Sequence, residues 1–181
     1  MKCLVTGGAG FIGSNLADRL LAEGHVVHIL DNLSTGKRAN LPAGARFHDL
    51  DLNSAAAHEL IVQETFDAIF HQAAQVIVGV SVREPQRDAE INIQGSLNLL
   101  EAARESGSQP AIIFASSGGT VYGEASEPPY KESHPLHPIS PYGIAKASVE
   151  FYLGFYAKVH GLRYVALRYA NVYGPRQDSF G

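Results

Sequence analysis

A glycine-rich turn, "TGGAGFIGS", follows the first apolar run of the chain and limits its possible folds more than any other stretch. Gly7, Gly10 and Gly13 recur at every third residue, and a segment with helical spacing follows them. Gly7 would allow a tight turn, Gly10 would let backbone amides approach a phosphate, and Gly13 would let the helix pack closely. The free N–H groups at the start of that helix favour an anion. The pattern predicts a site for a dinucleotide pyrophosphate, with a turn that binds no ligand as the alternative.

The rest of the chain alternates apolar runs with segments of helical spacing. Six runs are typical of strands, namely "KCLVT", "VVHILD", "ARFHDLDL", "DAIFHQAA", "PAIIFASS" and "RYVALRYANVYG". Strands that are apolar throughout and alternate with helices indicate a parallel sheet covered on both faces. We therefore predict an α/β fold with a doubly wound parallel sheet, the Rossmann arrangement, which binds ligands at the carboxyl ends of its strands.

Composition narrows the possible partners. The 181 residues carry a net charge of −4 and include no basic stripe, so we expect no nucleic-acid partner. The longest apolar run, around Val76–Val80, is far shorter than the roughly 20 residues of a membrane span, so we expect no membrane partner. The single Cys3 lies in an apolar run and fits a reducing cytoplasm. His134 and His137 form an H-x-x-H pair without further ligands, so no metal site is expected.

An acidic residue closes the second strand. Asp31 stands 18 residues after Gly13, where a carboxylate can accept hydrogen bonds from the adenosine ribose and repel a 2′-phosphate. This favours NAD over NADP as the cofactor. Lys37 and Arg38 follow and could soften the repulsion. A turn residue or helix cap is the alternative role for Asp31.

The ends of the third and fourth strands offer further contacts to a dinucleotide. Asp51 and Leu52 end the third run, where adenine should lie, and Asp49 competes in an alternative register. Small residues in "HQAA" would let the cofactor pass close to the backbone, with His71 in a structural role. Asn92, on the following helix, could hold a loop carbonyl, contact the cofactor or face solvent.

Hydroxyl groups and a Tyr–Lys pair follow the fifth strand. Ser116, Ser117 and Thr120 could hydrogen-bond a substrate oxygen, although such residues also make ordinary turns. In "SPYGIAK", Tyr142 and Lys146 are four residues apart and share one helix face. A tyrosine has an ordinary pKa of about 10, which a neighbouring ammonium lowers toward the range of a general base. The position of the pair after a hydroxyl-bearing strand favours proton transfer over a surface pair.

The stretch after the sixth strand offers donors for a diphosphate. Asn171 could donate to one and Arg176 could pair with one, and either could instead be a capping or surface residue.

Five motifs occur in a fixed order: "TGGAGFIGS", "LDNLS", "SSGGTVYG", "SPYGIAK" and "LRYANVYGPRQ". Together they resemble the extended short-chain dehydrogenase/reductases, and within them the NAD-dependent epimerase/dehydratase family. The resemblance implies an isomerase of carbohydrate metabolism that binds NAD and a nucleotide sugar, with a UDP-sugar expected. The implied reaction is 4-epimerisation of a UDP-hexose through a transient 4-keto sugar. Tyr142 would take the proton of the 4-hydroxyl while hydride passes from C4 to NAD and later returns to the opposite face.

The resemblance also implies individual roles. Lys146 would hold the nicotinamide ribose and tune Tyr142, and Asn171 would contact the substrate diphosphate. Cofactor contacts are implied for Gly7, Gly10, Phe11, Ile12, Gly13, Asp31, Asn32, Ser34, Thr35, Gly36, Asp51, Leu52, Gln72, Ala73, Ala74, Gln75, Asn92, Tyr142, Lys146 and Ala170.

Two departures from the family pattern matter. Many relatives carry a catalytic Ser or Thr where this chain has Gly118, so Ser117 or Thr120 would have to supply the hydroxyl. Gly119 and Thr120 stand where sugar dehydratases of the family have an Asp–Glu pair, which favours epimerisation over dehydration.

The resemblance further implies an organisation. Residues 1–170 would form the NAD-binding domain, and 171–181 would begin a substrate-binding lobe that is largely absent. A homodimer is expected through a four-helix bundle formed by helices near 88–106 and 142–160. Another nucleotide-sugar dehydratase, decarboxylase or reductase of the family remains an alternative, as does an NAD-binding module without catalysis.

Overall fold

A computed structural model of the chain describes residues 1–124 and 129–178. It contains a sheet of six parallel strands in the order β3-β2-β1-β4-β5-β6, which confirms the predicted doubly wound α/β fold. The strands are β1 (Lys2–Thr6), β2 (Val26–Asp31), β3 (Arg46–Asp49), β4 (Ala68–His71), β5 (Ala111–Ser117) and β6 (Tyr164–Tyr169). Thr6 lies beside Leu30 and His71 in register, so the carboxyl ends of neighbouring strands meet at one edge.

Helices connect the strands. Within the described residues they are α1 (Phe11–Ala22), α2 (Ala55–Glu64), α3 (Val78–Arg83), α4 (Pro85–Ala89), α5 (Gly95–Glu105) and α6 (Pro141–His160). A π-helical turn, Glu90–Gln94, joins α4 to α5, and a short 3₁₀ turn spans Arg38–Asn40. The helical segment predicted near residues 88–106 starts earlier than predicted, at Pro85, and contains a π-helical turn. The helix predicted over 142–160 starts one residue earlier than predicted, at Pro141.

Successive side chains of the strands pack into two separate hydrophobic cores, one on each face of the sheet. Cys3 and Val5 of β1 pack with Leu20 of α1 on one face of the sheet. Leu4, the residue between them, packs with Ile61 and other buried side chains of α2, α5 and α6 on the other face. Because successive strand residues point to opposite faces, an all-apolar strand is what a doubly covered sheet requires.

Local signals in the sequence define several helix ends. Ser54 and Ser140 cap α2 and α6, since their hydroxyls accept hydrogen bonds from Ala57 N–H (3.2 Å) and Gly143 N–H (3.1 Å). Gly161 ends α6 with a φ of +72°, a conformation that favours glycine.

One expectation about the elements needs correction. The third strand ends at Asp49, so Asp51 and Leu52 lie beyond it, in the turn before α2. The apolar stretch around Val76–Val80 contributes to the short helix α3. Among the described residues, no helix is both long and apolar enough to cross a membrane.

A pair of histidines is buried between β2 and β3. His28 is 0% exposed, and its Nδ1 lies 3.0 Å from His48 Nε2. The other ring nitrogen of His28 has no hydrogen-bond partner among the described residues. Burial, reinforced by the charge of His48, lowers the pKa of His28 to about 4. The imidazole is therefore neutral in the folded protein at neutral pH.

Replacing His28 with glutamine should weaken the pH dependence of stability. An unfolded histidine has a pKa of about 6.5, whereas the folded His28 has a pKa of about 4. Between these two pH values the unfolded chain binds a proton that His28 does not bind in the folded protein. Stability is full above pH 6.5 and falls as the pH approaches about 4. Denaturant unfolding at pH 7.5 and pH 5 should show a decrease about 2 kcal/mol smaller in His28→Gln than in the wild type. The matched control, His160→Gln at an exposed position, should keep the wild-type decrease, and an unchanged decrease in His28→Gln would contradict the assignment.

Candidate cofactor and proton-transfer site

The glycine turn lies at the carboxyl end of β1, against the backbone of the neighbouring loop. Gly7 has a φ of +69°, and a Cβ there would lie 2.7 Å from the amide nitrogen of Ala73. A Cβ on Gly13 would overlap the carbonyl oxygen of Gly7. Among the described atoms, a Cβ on Gly10 would meet only that same oxygen, at 3.2 Å. Gly7 and Gly13 are thus required for packing, whereas Gly10 leaves a space open at the start of α1.

That space is bordered by amide donors. Gly10 is the N-cap residue of α1, and the helix begins with Phe11 and Ile12. The first N–H groups of a helix have no acceptor within it, so they are available to an anion. Gly8 is a further glycine that packing requires, because a Cβ there would lie 2.6 Å from Ile29. This was not predicted from the sequence, although Gly8 directly follows Gly7 in the glycine turn.

Asp31 links the glycine turn to the loop after β2. Its carboxylate is 7% exposed and accepts hydrogen bonds from Ala9 N–H (2.9 Å) and Leu33 N–H (2.8 Å). Gly36 approaches so closely that a Cβ would lie 2.9 Å from the same carboxylate. A carboxylate has about four acceptor positions, so two such bonds leave capacity for ribose hydroxyls.

The loop that follows Asp31 is exposed and ordered by side chains. Asn32 accepts from Ser34 N–H (3.0 Å) and donates to Asp51 (2.7 Å). Ser34 and Thr35 are exposed. Leu52, by contrast, is 8% exposed and packs into the core. Of the two residues predicted to flank adenine, only Asp51 presents its side chain at the surface.

Both cations near the ribose loop are already paired. Lys37 donates to Asp178 (2.9 Å), and Arg38 donates to Asp49 (3.1 Å). The second pair occupies the carboxylate that competed with Asp51 in the alternative register. These pairs reduce the positive charge that could attract a 2′-phosphate, although each is exposed and individually weak.

His71 has a structural role within the described contacts. Its Nδ1 lies 2.8 Å from Thr6 Oγ1 and its Nε2 lies 2.9 Å from Ser96 Oγ. Thr6 Oγ1 also accepts from Ala73 N–H (3.2 Å), which fixes the loop after β4 against β1. Burial, assisted by the charge of Lys146, lowers the pKa of His71 to about 3, so the ring stays neutral.

The same loop is held from its other side by Asn92. Its side chain accepts from Gln75 N–H (3.0 Å) and donates to Gln75 O (3.0 Å) and to Asp88 (3.0 Å). Asn92 is 3% exposed and lies in the π-helical turn. Of the alternatives that the sequence left open, these contacts favour loop support, so the predicted influence of Asn92 on a cofactor would act through residues 72–75.

Tyr142 and Lys146 lie one turn apart at the start of α6. The Lys146 ammonium is 4.8 Å from the Phe114 ring centre and 5.7 Å from the Tyr142 ring centre. Burial lowers the pKa of Lys146 to about 8, opposed by the charge of Asp88. Burial raises the pKa of Tyr142, Asp88 raises it further, and a hydrogen bond with Ser117 lowers it. The expected fall in the Tyr142 pKa is therefore not found in the protein alone, because loss of water around the phenol dominates.

The two hydroxyl side chains Ser117 and Thr120 differ in their surroundings. Ser117 is close enough to Tyr142 for its hydroxyl to oppose, in part, the rise in the Tyr142 pKa. Thr120 has a buried hydroxyl without a hydrogen-bond partner among the described residues. Gly118 donates its N–H to Tyr169 O (2.8 Å), and a Cβ there would lie 3.1 Å from Arg168 O. The backbone at Gly118 therefore packs against β6, and Ser117 is the hydroxyl placed at the tyrosine.

Ser116 belongs to a buried network that sequence reasoning did not find. It donates to Glu150, and Arg168 binds the same carboxylate through Nη2 (2.7 Å) and Nε (3.0 Å). Arg168 also donates to the hydroxyl of Tyr122 (2.7 Å) and to Glu132 O (3.1 Å). The network joins β5, α6 and β6 to the loop that precedes α6.

The segment after β6 returns to the start of α1. Asn15 donates to Pro175 O (2.9 Å), and Arg176 forms an ion pair with Asp18. Ala170 and Asn171 are exposed. Arg176 is thus paired with a carboxylate in the described contacts, and its role toward a diphosphate stays a prediction.

No metal centre accompanies these groups in the described ranges, which contain no cluster of three His, Cys, Asp or Glu side chains placed to hold an ion. His134, one half of the H-x-x-H pair, accepts instead from Lys131 N–H (2.8 Å) in its own loop.

Comparisons with known proteins agree with this geometry. A putative UDP-glucose 4-epimerase of Methanocaldococcus jannaschii is 46% identical over 98% of the chain, which spans 58% of that protein. The UDP-glucose 4-epimerase of Mycolicibacterium smegmatis is 44% identical over 100% of the chain and 59% of its own length. The chain thus spans less than two thirds of the curated relatives it matches.

Solved structures show the same likeness. A UDP-glucose 4-epimerase of Thermotoga maritima with UDP-glucose gives a TM-score of 0.96 at 51% identity, over 100% of this chain and 59% of that one. A UDP-glucose 4-epimerase of Thermus thermophilus in complex with NAD gives 0.93 at 50% identity, over 98% and 58%.

The fold and the glycine turn define a dinucleotide-binding domain of the doubly wound class. Residues 3–180 match the NAD dependent epimerase/dehydratase family, and the chain belongs to it. NAD is accordingly its cofactor. The open space at Gly10, the helix amides and the Asp31 carboxylate fit that group.

Replacing Gly10 with alanine should separate cofactor binding from folding. Its φ of −81° suits alanine, and the added methyl group would project into the open space at the start of α1. We expect stability to change by about 1 kcal/mol or less, while NAD affinity measured by calorimetry falls about tenfold or more. The control Gly107→Ala, where a Cβ meets no described atom within 4 Å, should leave both unchanged. Full NAD affinity in Gly10→Ala would contradict the placement of the pyrophosphate.

Proposed function

We propose that this chain is the NAD-binding part of an epimerase that inverts C4 of a UDP-hexose. The observation that supports this most directly is the group formed by Ser117, Tyr142 and Lys146 near the carboxyl end of β5. A hydroxyl, a phenol and an ammonium are the groups that proton transfer at a sugar hydroxyl would use. The family match and the UDP-glucose 4-epimerases at 41–51% identity support the same reaction.

Tyr142 is the proposed base. Its phenolate would accept the proton of the 4-hydroxyl, and the phenol would return that proton to the oxygen of the 4-keto sugar when hydride adds to the opposite face of C4. Bound NAD would supply a positive nicotinamide and would accept the hydride of C4, then return it. Because burial raises the pKa of Tyr142 in the protein alone, its ionisation depends on positive charge held beside it.

Lys146 is the proposed source of that charge within the chain. Its ammonium lies 5.7 Å from the Tyr142 ring centre and is 4% exposed, so little water screens it. The same ammonium would donate hydrogen bonds to the nicotinamide ribose. Ser117 would donate to the substrate oxygen, since it lies close enough to Tyr142 to affect the pKa of the phenol.

The proposed domain boundary lies after residue 170. Residues 171–181 would begin the substrate-binding lobe, with Asn171 as a donor to the UDP diphosphate. Exposed apolar side chains on β6 and just beyond it support coverage by further protein, since Val165 is 53% exposed and Tyr173 is 88% exposed. The sugar is left open because a UDP-N-acetylglucosamine 4-epimerase of Methanobrevibacter ruminantium also matches, at 42% identity and a TM-score of 0.92.

The reaction is tested on the full-length protein that contains this chain. Interconversion of UDP-glucose and UDP-galactose, or of their N-acetyl forms, is expected without a net change in NAD redox state. Net reduction or oxidation of NAD would favour a reductase, and loss of water from the sugar would favour a dehydratase. NAD binding without conversion of any UDP-sugar would favour a non-catalytic module.

Tyr142→Phe should abolish turnover while keeping NAD bound. Removal of a general base lowers rates by about 10²–10⁴-fold, and the phenyl ring preserves the packing. The measurement is the rate of UDP-glucose conversion, with NAD affinity by calorimetry in parallel. Tyr164→Phe is the matched control, because Tyr164 begins β6 at the opposite end of the sheet from the proposed site. Wild-type turnover in Tyr142→Phe would remove Tyr142 from the role of base.

The same assay decides which hydroxyl assists Tyr142. Ser117→Ala should lower the rate more than Thr120→Val, because Ser117 is the hydroxyl that affects the pKa of Tyr142. The opposite order would assign the role to Thr120.

We also propose a homodimer in which α6 packs against a second copy. Residues 151, 152 and 155 share one face of α6, and Phe151 and Phe155 are 70% and 48% exposed. Val82 of α3 is a further exposed apolar side chain, at 61%. The exposed apolar face of α6 suits the four-helix bundle expected from helices 88–106 and 142–160. Residence in the cytoplasm remains a prediction.

Phe151→Asp should produce monomers. A charge buried at the centre of the interface would weaken association by about tenfold or more. Sedimentation velocity at micromolar concentration should show a dimer for the wild type and for the control Ile139→Asp, whose exposed side chain lies outside α6. A wild type that sediments as a monomer would contradict the proposed interface.

A further inference from the structure

Asp88 of α4 is a buried carboxylate that the proposed reaction does not use. It is 1% exposed, and its Oδ1 accepts hydrogen bonds from Gln75 Nε2 (2.8 Å) and Asn92 Nδ2 (3.0 Å). Its Oδ2 has no hydrogen-bond partner among the described residues. A buried charge with an unpaired oxygen is costly unless an opposite charge compensates for it.

Lys146 is the complementary case. Its side chain is 4% exposed, its ammonium lies 4.8 Å from the Phe114 ring centre, and it forms no ion pair within 4.0 Å in the described part of the chain. Aromatic faces attract a cation, but they do not replace a counter-charge. The lysine and the aspartate therefore have opposite charges, and each lacks a direct ionic partner.

The other charged and titratable groups around Lys146 do not provide that counter-charge. His71 of β4 is neutral, since burial lowers its pKa to about 3. Glu150, one turn further along α6, is bound by Arg168 of β6 at 2.7 Å. Tyr142 is a phenol with a raised pKa. Asp88 is thus the carboxylate left to act on Lys146, and its charge opposes the effect of burial on that lysine.

We propose that Asp88 is a positioning residue whose buried charge keeps Lys146 protonated, while its hydrogen bonds fix the loop after β4. The first role acts through the field of the carboxylate on the ammonium. The second acts through Gln75, whose side chain also holds Ile77 N–H (2.6 Å) and Ile77 O (3.1 Å). The proposal deepens the proposed function, because it assigns the control of the charge beside Tyr142.

Asp88→Asn separates the two roles. The amide keeps an oxygen that can accept from Gln75 and Asn92, but it removes the negative charge. Without that charge, burial alone acts on Lys146, whose pKa is already lowered to about 8. Lys146 should then titrate lower by about 1 pH unit, as expected when a nearby opposite charge is removed.

The direct test is an NMR titration of the 181-residue chain with isotope-labelled lysine, in which Lys146→Arg identifies the Lys146 signal. Asp88→Asn should lower the titration midpoint of Lys146, and Glu90→Gln, an exposed charge on the adjoining π-helical turn, should not. The same midpoint in Asp88→Asn and wild type would overturn the proposal. Asp88→Glu and Asp88→Gln form a second pair that differs only in charge, if Asp88→Asn fails to fold.

The full-length enzyme gives an independent readout. Loss of the Asp88 charge should shift both limbs of the kcat/KM pH profile to lower pH, because Asp88 raises the pKa values of Tyr142 and Lys146. A lower rate with unmoved limbs would show a merely structural residue and would overturn the electrostatic role. Absence of epimerase activity would refute the proposed function, whereas the lysine titration would still decide the role of Asp88.

Discussion

The site depends on backbone packed against backbone where β1 ends. Gly7 turns the chain so that its Cα faces the loop after β4 with no room for a side chain, and Gly13 brings α1 onto the carbonyl of Gly7. This close approach sets where the first amides of α1 lie relative to the carboxyl edge of the sheet. It also explains why Thr6, directly before the turn, can fasten both Ala73 and His71. Any residue larger than glycine at these two positions would separate elements that must meet.

Carboxylates set behind the site maintain its charges. Glu150 accepts hydrogen bonds from Arg168 and Ser116, and the charge of Asp88 raises the pKa values of Tyr142 and Lys146. In a buried setting such charges act with little screening, so small displacements change protonation as well as shape.

Much of the fold follows from the sequence because the two periodicities are clear. All-apolar runs identified the six strands, and glycine and serine marked several ends, as Ser140 and Gly161 do for α6. The end of β3 was placed too late because "HDLDLN" alternates in either register, and only pairing with β2 decides that Asp49 is last. The Tyr–Lys pair and Asp31 were predicted from their positions after strands as well as from spacing, and their roles stay predictions. Asp88 and Glu150 were not predicted, because an acidic residue on a helix is usually at the surface, and only tertiary packing covers the side chains of these two.

The π-helical turn at Glu90–Gln94 determines which side chains of α4 and α5 reach the loop after β4 and the end of that strand. A π-helical turn accommodates one more residue than an α-helix of the same length. Each residue in a regular helix rotates the chain by about 100°, so the extra residue re-phases everything on one side of the turn relative to the other. Asp88 precedes the turn and Ser96 follows it, yet one serves Gln75 and the other His71. A sequence that made this helix regular could gain local stability and still point one of these side chains away from the loop it supports.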